Sequence, residues 1–304
     1  MRVAITGATG FVGPHLLREL LDAGHQPVAV SNVEQADLGV PFVSCDLTRS
    51  WPEELDGVEA VVHLAGLSAV GPSFGAPQQY VEVNSAMVTT MCEALLAAGS
   101  PARVLVVSSG AVYDAFQPHP IAETGTIAMN SPYVVSKILV ENLAAYYAGR
   151  GLDLVVARPF NHIGPGQGGG FLLPDLVTEA LAAAAENRPM STGDLSTSRD
   201  YTDVRDVARA YRLLLEAELG ADDRVFNVCS GQSRPGTELC DLVLAELGLP
   251  QLDRTVDESR IRPNDPRSVT GDNARLRSLT GWSPERPIAQ TVHDYVADRL
   301  AHRD

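Results

Sequence analysis

The sequence predicts an α/β protein of Rossmann type, a doubly wound parallel sheet with a smaller C-terminal lobe. Three observations predict it. Short, continuously apolar strand patterns alternate with amphipathic helical ones through the first half of the chain. A glycine-spaced turn, "GATGFVG", separates the first such strand from the first helix. After about residue 160 the alternation loosens, and Gly, Pro and polar residues become denser.

Taken in order, "RVAIT" at 2–6 is an apolar run ending in glycine, and residues 11–23 carry apolar side chains at helical spacing. "PVAV", "PFVSCDL" and "AVVHLAG" follow as strands, then a long helical pattern from about 77 to 98. "RVLVVSS", a helix from about 132 to 148, and "LDLVVARPF" complete the alternation. Strands with no polar face need helices on both sides, which a parallel sheet with right-handed crossovers supplies. Helical patterns near 171–186, 203–217, 237–247 and 288–301 are separated by longer loops. The expected division is 1–163 as the dinucleotide-binding domain, with a returning segment at about 202–228. Segments at about 164–201 and 229–304 form the second lobe.

The 304 residues are 45% apolar and 20% charged, an ordinary composition for a soluble domain with a substantial core. A formal charge of −15 leaves no general basic surface for nucleic acid or an anionic membrane, so neither partner is expected. An anionic substrate would need individually placed arginines. Cys45, Cys92, Cys229 and Cys240 are scattered without metal-ligand spacing, which suits reduced thiols in a cytoplasmic protein and no bound metal. The chain opens on a strand pattern, so no signal peptide is expected, and no apolar run of about twenty residues could span a bilayer.

In "GATGFVG", Gly7, Gly10 and Gly13 follow the first strand and open a helix, with Phe11 and Val12 completing the loop. Gly7 permits the tight turn, Gly10 lets a pyrophosphate approach the backbone, and Gly13 allows close helix–strand packing beside a helix N-terminus that favours the anion. NAD-binding folds usually end the second strand on a carboxylate that binds the ribose hydroxyls. Here Ser31 and Asn32 stand at that point, which removes the repulsion against a 2′-phosphate. NADP is therefore favoured over NAD, although no arginine stands nearby in sequence. Asp46 and Leu47 after the third strand are placed to meet the adenine. Leu64, Ala65 and Gly66 end the fourth strand beside the cofactor, where plain core packing would also account for Leu64 and Ala65.

"SPYVVSK" puts Tyr133 and Lys137 at i, i+4 on one helical face, after a strand that ends on Ser108 and Ser109. A cationic lysine beside the phenol would favour the phenolate and bring the tyrosine toward the range of an acid–base catalyst. Lys137 could also bind the nicotinamide ribose, and a serine hydroxyl could hold the substrate oxygen.

Together "GATGFVG", "DL" at 46–47, "HLAG", the serine before "VY", and "YVVSK" resemble the extended short-chain dehydrogenase/reductases, the NAD-dependent epimerase/dehydratase family. The resemblance runs over essentially the whole chain. It implies a Rossmann domain, a nucleotide-sugar-binding lobe, NAD(P), and nucleotide-diphosphate-sugar substrates; a homodimer is expected. The family's Ser/Thr-xxx-Tyr-Gly pattern aligns Ser109 as the catalytic hydroxyl, four before Tyr113; Asp114 replaces the usual glycine, which leaves Ser108 open as the alternative.

"RPFNHIGPGQ", "RDYTDVRDVARAY" and "VFNVCSG" resemble the branch of GDP-4-keto-6-deoxymannose reductases and GDP-mannose 4,6-dehydratases. That resemblance places Asn161 at the substrate's phosphates or sugar. It places Arg199 and Arg262 on the diphosphate and Asp265 at the nucleotide ribose; a surface salt bridge is the alternative for each. The glycines at 166 and 168–170 become a loop whose bare backbone lies against the nucleotide; a flexible loop is the alternative. Dehydratases of the family carry an acid and a base directly after the catalytic hydroxyl, but Gly110 and Ala111 stand there and neither can move a proton. The resemblance therefore implies reduction of the C4 ketone of a nucleotide-linked 4-keto-6-deoxyhexose, with Tyr133 as proton donor. A nucleotide-sugar 4-epimerase with tightly bound NAD is the alternative, since "HLAGLSAVGPS" resembles the epimerase pattern.

Overall fold

Arg2–Thr6 (β1) alternates its side chains between the two faces of a sheet, and both faces are buried. Val3 and Ile5 pack on one side and Ala4 on the other, so the strand has no polar face to offer water. The computed structural model describes residues 1–220, 224–261 and 265–302. After β1 come α1 (Gly13–Asp22), β2 (Gln26–Ser31), β3 (Phe42–Ser44), β4 (Ala60–His63), a single turn α2 (Val70–Ser73) and α3 (Pro77–Ala97). The half closes with β5 (Arg103–Val107), α4 (Pro132–Gly149) and β6 (Asp153–Pro159).

The second half is built from shorter pieces: β7 (Asn161–Ile163), α5 (Leu172–Ala185), β8 (Met190–Thr192), β9 (Ser198–Asp203) and α6 (Val204–Glu216). Then come β10 (Val225–Val228), β11 (Ser233–Pro235), α7 (Gly236–Glu246), β12 (Arg254–Val256), β13 (Ser268–Val269), α8 (Ala274–Thr280) and α9 (Ile288–Ala301). One sheet runs β3-β2-β1-β4-β5-β6-β10 with every neighbouring pair parallel. A reversal of direction beside β1 is the switch point at which such folds bind ligands, outside the carboxyl ends of the strands.

Leu16 and Leu20 of α1 cover one face together with Val207, Tyr211 and Leu214 of α6. Val88, Met91 and Leu95 of α3 cover the other with Val140 and Ala144 of α4. Each such side chain removed from water contributes about 1.5–3 kcal/mol, so the helical stripes decide where the helices lie. A second core lies among α5, α7 and α9, with Leu173, Val177, Leu239, Val243, Val292 and Tyr295 at its centre. Beside it β9 pairs with β11, β13 and β7. Among the described residues no helix is long and apolar enough to cross a membrane.

The helices expected from sequence all form, with ends within one or two residues of the periodicity. The short strands from β7 onward and α8 were not expected individually, because two to six residues are too few to show a period.

One buried carboxylate ties these pieces together. Asp200 on β9 accepts hydrogen bonds from the Ser230 amide and hydroxyl, and from the amides of Gly231 and Gly271. It thereby joins β9 to the segments leaving β10 and β13.

Candidate active site

A cavity of about 1620 Å³ opens along the carboxyl ends of β1, β2, β4 and β5 and continues between those strands and the second lobe. That exceeds the ~300–1,000 Å³ of a pocket for one drug-sized ligand and leaves room for a dinucleotide and a second nucleotide together.

The glycine turn at its edge has the geometry that the spacing asks for. Gly7 has φ of +68°, and a Cβ there would stand 2.8 Å from the Ala65 amide nitrogen. At Gly13 a Cβ would come within 2.1 Å of the Ala8 carbonyl oxygen, so only glycine lets α1 start this close to the turn. Gly7, Gly10, Phe11 and Val12 line the cavity, whereas Gly13 stands behind the wall as a packing residue. Phe11 stacks on His162 with ring centroids 5.8 Å apart, which joins the turn to the strand carrying Asn161. These residues fit a dinucleotide's pyrophosphate: exposed backbone on a tight turn, at the start of a helix.

Ser31 is buried at the end of β2, and its hydroxyl shares a 2.7 Å hydrogen bond with Thr9 of the glycine turn. Thr9 had no individual signal in the sequence. Asp46 and Leu47 line the same end, Asp46 exposed and accepting from the Thr48 amide and hydroxyl. Arg49 lies 3.4 Å from Asp46, folded back beside it at i, i+3 by the turn after β3. Leu64, Ala65 and Gly66 line the cavity at the end of β4, where Ala65 donates its amide to the Thr6 hydroxyl.

α4 begins sharply because Ser131 caps it, accepting from the Val134 amide, and Pro132 occupies the first helical turn. That start puts Tyr133 and Lys137, both buried, over the end of β5. Three consecutive residues of β5's end each meet one side chain of α4 at i, i+4, i+8. The Ser109 hydroxyl lies close enough to the Tyr133 phenol to favour its ionised form. Lys137 donates from Nζ to the Val107 carbonyl at 2.8 Å. Ser108 donates to Glu141 Oε1 at 2.5 Å. Ser109 faces Tyr133, and Ser108, which also lines the cavity, turns its hydroxyl into a buried network. In that network Arg158 donates to both Glu141 oxygens, at 2.8 and 2.6 Å, and to the Tyr113 hydroxyl at 2.8 Å. Tyr113 in turn donates to Asn227. Glu141 could have been found by extending the Tyr133–Lys137 spacing one further turn.

The electrostatics differ from the expectation in one respect. Burial raises the Tyr133 pKa, opposed by the Ser109 hydroxyl, so the phenol stays protonated at neutral pH. Lys137 lies 6.0 Å from the ring centroid with its ammonium turned to a carbonyl, and does not draw the phenol down. Burial lowers Lys137 itself to about 8, opposed by the Glu141 carboxylate. His63, buried beneath on β4, is lowered to about 3 and is neutral.

Asn161 is exposed and lines the cavity from β7. Arg199 and Asp265 also line it, but they meet each other in a 2.7 Å ion pair, and Arg199 Nη1 donates to the Ser198 and Pro266 carbonyls. The sequence had assigned them separate ligand groups; β13 lying beside β9 brings them together. Arg262 lies outside the described residues. The glycine loop is pinned at both ends: Gly166 donates to Asp298 of α9 and Gly170 to Asp175 of α5. Gly110 packs so tightly that a Cβ would come within 2.7 Å of the Phe160 ring. A proton-carrying side chain cannot be accommodated there without displacing that ring.

Residues 3–229 match the model of the NAD dependent epimerase/dehydratase family. The chain is 38% identical to the GDP-6-deoxy-D-mannose reductase of Pseudomonas aeruginosa, over 98% of this chain and 96% of that protein. It is 32% identical to the UDP-glucose 4-epimerase of Azospirillum brasilense, over 93% of this chain and 87% of that one. Among solved structures, RMD from Pseudomonas aeruginosa complexed with NADPH superposes with a TM-score of 0.82 at 33% identity, covering 99% of each chain.

Proposed function

The chain belongs to the NAD dependent epimerase/dehydratase family, and we propose that it reduces the C4 ketone of a nucleotide-linked 4-keto-6-deoxyhexose, a GDP sugar foremost, with NADPH. One observation carries this reading: a protonated Tyr133 beside Ser109 on the lining of the cavity, with no carboxyl group at residues 110 and 111. The nearest acid on this helix face, Glu141, is held by Arg158 and Ser108 and cannot act on a substrate. Elimination of water lacks its acid and base, and proton donation to a reduced carbonyl remains.

In this reading Gly7, Gly10, Phe11, Val12, Ser31, Asp46, Leu47 and the Leu64–Gly66 backbone hold the dinucleotide. Bound reduced nicotinamide supplies the hydride equivalent for the carbonyl carbon. Tyr133 gives its proton to the oxygen as negative charge develops there. Ser109 donates a hydrogen bond to that oxygen, and Lys137, cationic below about pH 8, holds the nicotinamide ribose. Asn161, Arg199 and Asp265 hold the nucleotide sugar, and the resemblance assigns Arg262 to its diphosphate. Residues 1–163 with 202–228 serve the cofactor, and 164–201 with 229–304 serve the sugar nucleotide. The 38% identity to a GDP-6-deoxy-D-mannose reductase and the neighbour solved with NADPH support the GDP sugar and the cofactor. The reading also includes a cytoplasmic homodimer, consistent with four free thiols.

The test is an assay of NADPH oxidation with GDP-, dTDP- and UDP-linked 4-keto-6-deoxy sugars, with the absorbance spectrum of the purified protein. Turnover on the GDP sugar by a protein purified without cofactor is expected. Retained NAD with interconversion of UDP-hexoses, and no ketone reduction, would overturn it in favour of the epimerase, which the 32% relative represents.

A further inference from the structure

The wall of the cavity formed by α5, β8 and the turn at Glu258–Arg260 carries a carboxylate that ketone reduction does not use. Glu179 stands on α5 and lines the cavity. Its Oε1 accepts from Arg188 Nη1 at 2.6 Å and from the Ser191 amide at 2.9 Å, and these two bonds hold the group in one orientation. Arg188 above all lowers its pKa, so it is ionised at neutral pH. Among the described residues nothing donates to Oε2, and the side chain keeps 20% of its surface exposed.

The surroundings narrow what such an oxygen can meet. Leu172 and Leu176 of α5, Met190 of β8 and Ile261 give the wall its apolar surface. Arg260 enters the same wall, donating from Nη1 to the Ser191 carbonyl at 2.8 Å, and close enough to act on Glu179. An apolar slot with a fixed anion at its edge and a guanidinium beside it suits a flat heterocycle of one particular polarity. The edge facing the anion must offer adjacent N–H donors, and acceptors must lie next to them.

Among the common bases only guanine meets that description, with N1–H and the 2-amino group adjacent and O6 and N7 beyond them. Uracil and thymine flank their single N–H with two carbonyl oxygens, which a carboxylate repels. Adenine and cytosine put a bare ring nitrogen at the centre of the same edge. A site built to hydrogen-bond one pattern rejects the others because its own polar groups would be left buried and unpaired.

We propose that Glu179, with Arg260 beside it, reads the guanine of the nucleotide moiety and is the residue that selects GDP-linked over UDP- and dTDP-linked sugars. This rests on the reading of the cavity as a nucleotide-sugar site, and it names the group that recognises the base.

Calorimetric titration of the full chain with GDP, inosine diphosphate and UDP tests it, because inosine differs from guanosine only in lacking the 2-amino group. The wild-type protein is expected to bind GDP at least about tenfold more tightly than inosine diphosphate and UDP. Glu179→Gln keeps an acceptor for the Ser191 amide and removes the charge. It is expected to weaken GDP about 10- to 100-fold, to leave UDP within about threefold, and to collapse the difference between GDP and inosine diphosphate. Should that variant fail to fold, Arg260→Ala is the substitute, since Arg260 makes no ion pair among the described residues. It is expected to narrow the GDP-to-UDP ratio by about tenfold. Wild-type affinity for UDP equal to that for GDP, or a GDP-to-inosine ratio unmoved by Glu179→Gln, overturns the assignment. These titrations need no turnover, so they separate the two readings. A protein that selects GDP through Glu179 yet reduces no 4-keto sugar refutes the reductase and leaves the base recognition standing.

Discussion

In the proposed reading, Tyr133 and Ser31 are the single side chains that set the chemistry at the two ends of the cavity. Burial keeps the Tyr133 phenol protonated, which is the state a proton donor needs before the carbonyl is attacked. Tyr133→Phe removes that proton while preserving the ring that packs against Tyr80 at 6.5 Å. Turnover should fall by at least about 100-fold, the lower range for general acid–base catalysis, with NADPH affinity nearly unchanged. Activity within tenfold of wild type would remove Tyr133 from the role. At the other end, Ser31 and Thr9 present hydroxyls where a carboxylate would repel a 2′-phosphate. Ser31→Asp should move the NADH/NADPH ratio of kcat/KM toward NADH by roughly 1–2 kcal/mol at an effective dielectric of about 20. A ratio that stays put would mean that residue 31 does not face the ribose.

The end of β5 and the first turns of α4 act as one unit. Val107, Ser108 and Ser109 are held in turn by Lys137, Glu141 and Tyr133, so the two elements cannot slide without breaking all three contacts. Glu141 supports the unit in two ways: it anchors Ser108, and its charge opposes the loss of the Lys137 proton. Lys137 also faces Tyr133 on its own helix, His63 on β4, and Arg158 on β6 across Glu141. Replacing Glu141 by Gln leaves Arg158 and Lys137 as uncompensated cations. The Lys137 pKa then falls further below its value of about 8. In the proposed reading the cationic form is the working one, so activity is lost as pH rises through that pKa. The alkaline limb of kcat/KM for NADPH should therefore move to lower pH in Glu141→Gln, with a stability loss of about 3 kcal/mol from the broken buried pair. A stability loss with an unmoved alkaline limb would make Glu141 a packing residue only.

At the scale of the molecule, the cavity exists because the second lobe is held against the sheet at fixed points. Asp200 is one of these, a carboxylate inside the protein that accepts three amides and a hydroxyl. Asp200→Ala leaves those donors without an acceptor, each at about 1–3 kcal/mol less what water recovers, so a loss of about 3–5 kcal/mol is expected. Chemical denaturation measures it. Arg199 is the next residue along β9 and is paired to Asp265, so the KM for the sugar nucleotide should rise as well. A variant as stable as wild type would show that water or a neighbouring carbonyl replaces the carboxylate.

The sequence by itself determined the sheet, its helices, the glycine turn and the Tyr133–Lys137 pair. Each is written in local spacing: apolar runs bounded by glycine, stripes at 3.6 residues, and a cap followed by proline at Ser131 and Pro132. Only the tertiary structure decided what each serine meets, since Ser108 and Ser109 are adjacent and differ by what stands opposite, Glu141 for one and Tyr133 for the other. It also decided that Arg199 and Asp265, 66 residues apart, form an ion pair, and that Glu179 meets Arg188, Ser191 and Arg260 around one slot. These juxtapositions depend on strands of two or three residues, such as β8 and β13, that carry no period of their own. They pair where the larger elements leave an edge open, and that information lies in the packing of distant segments.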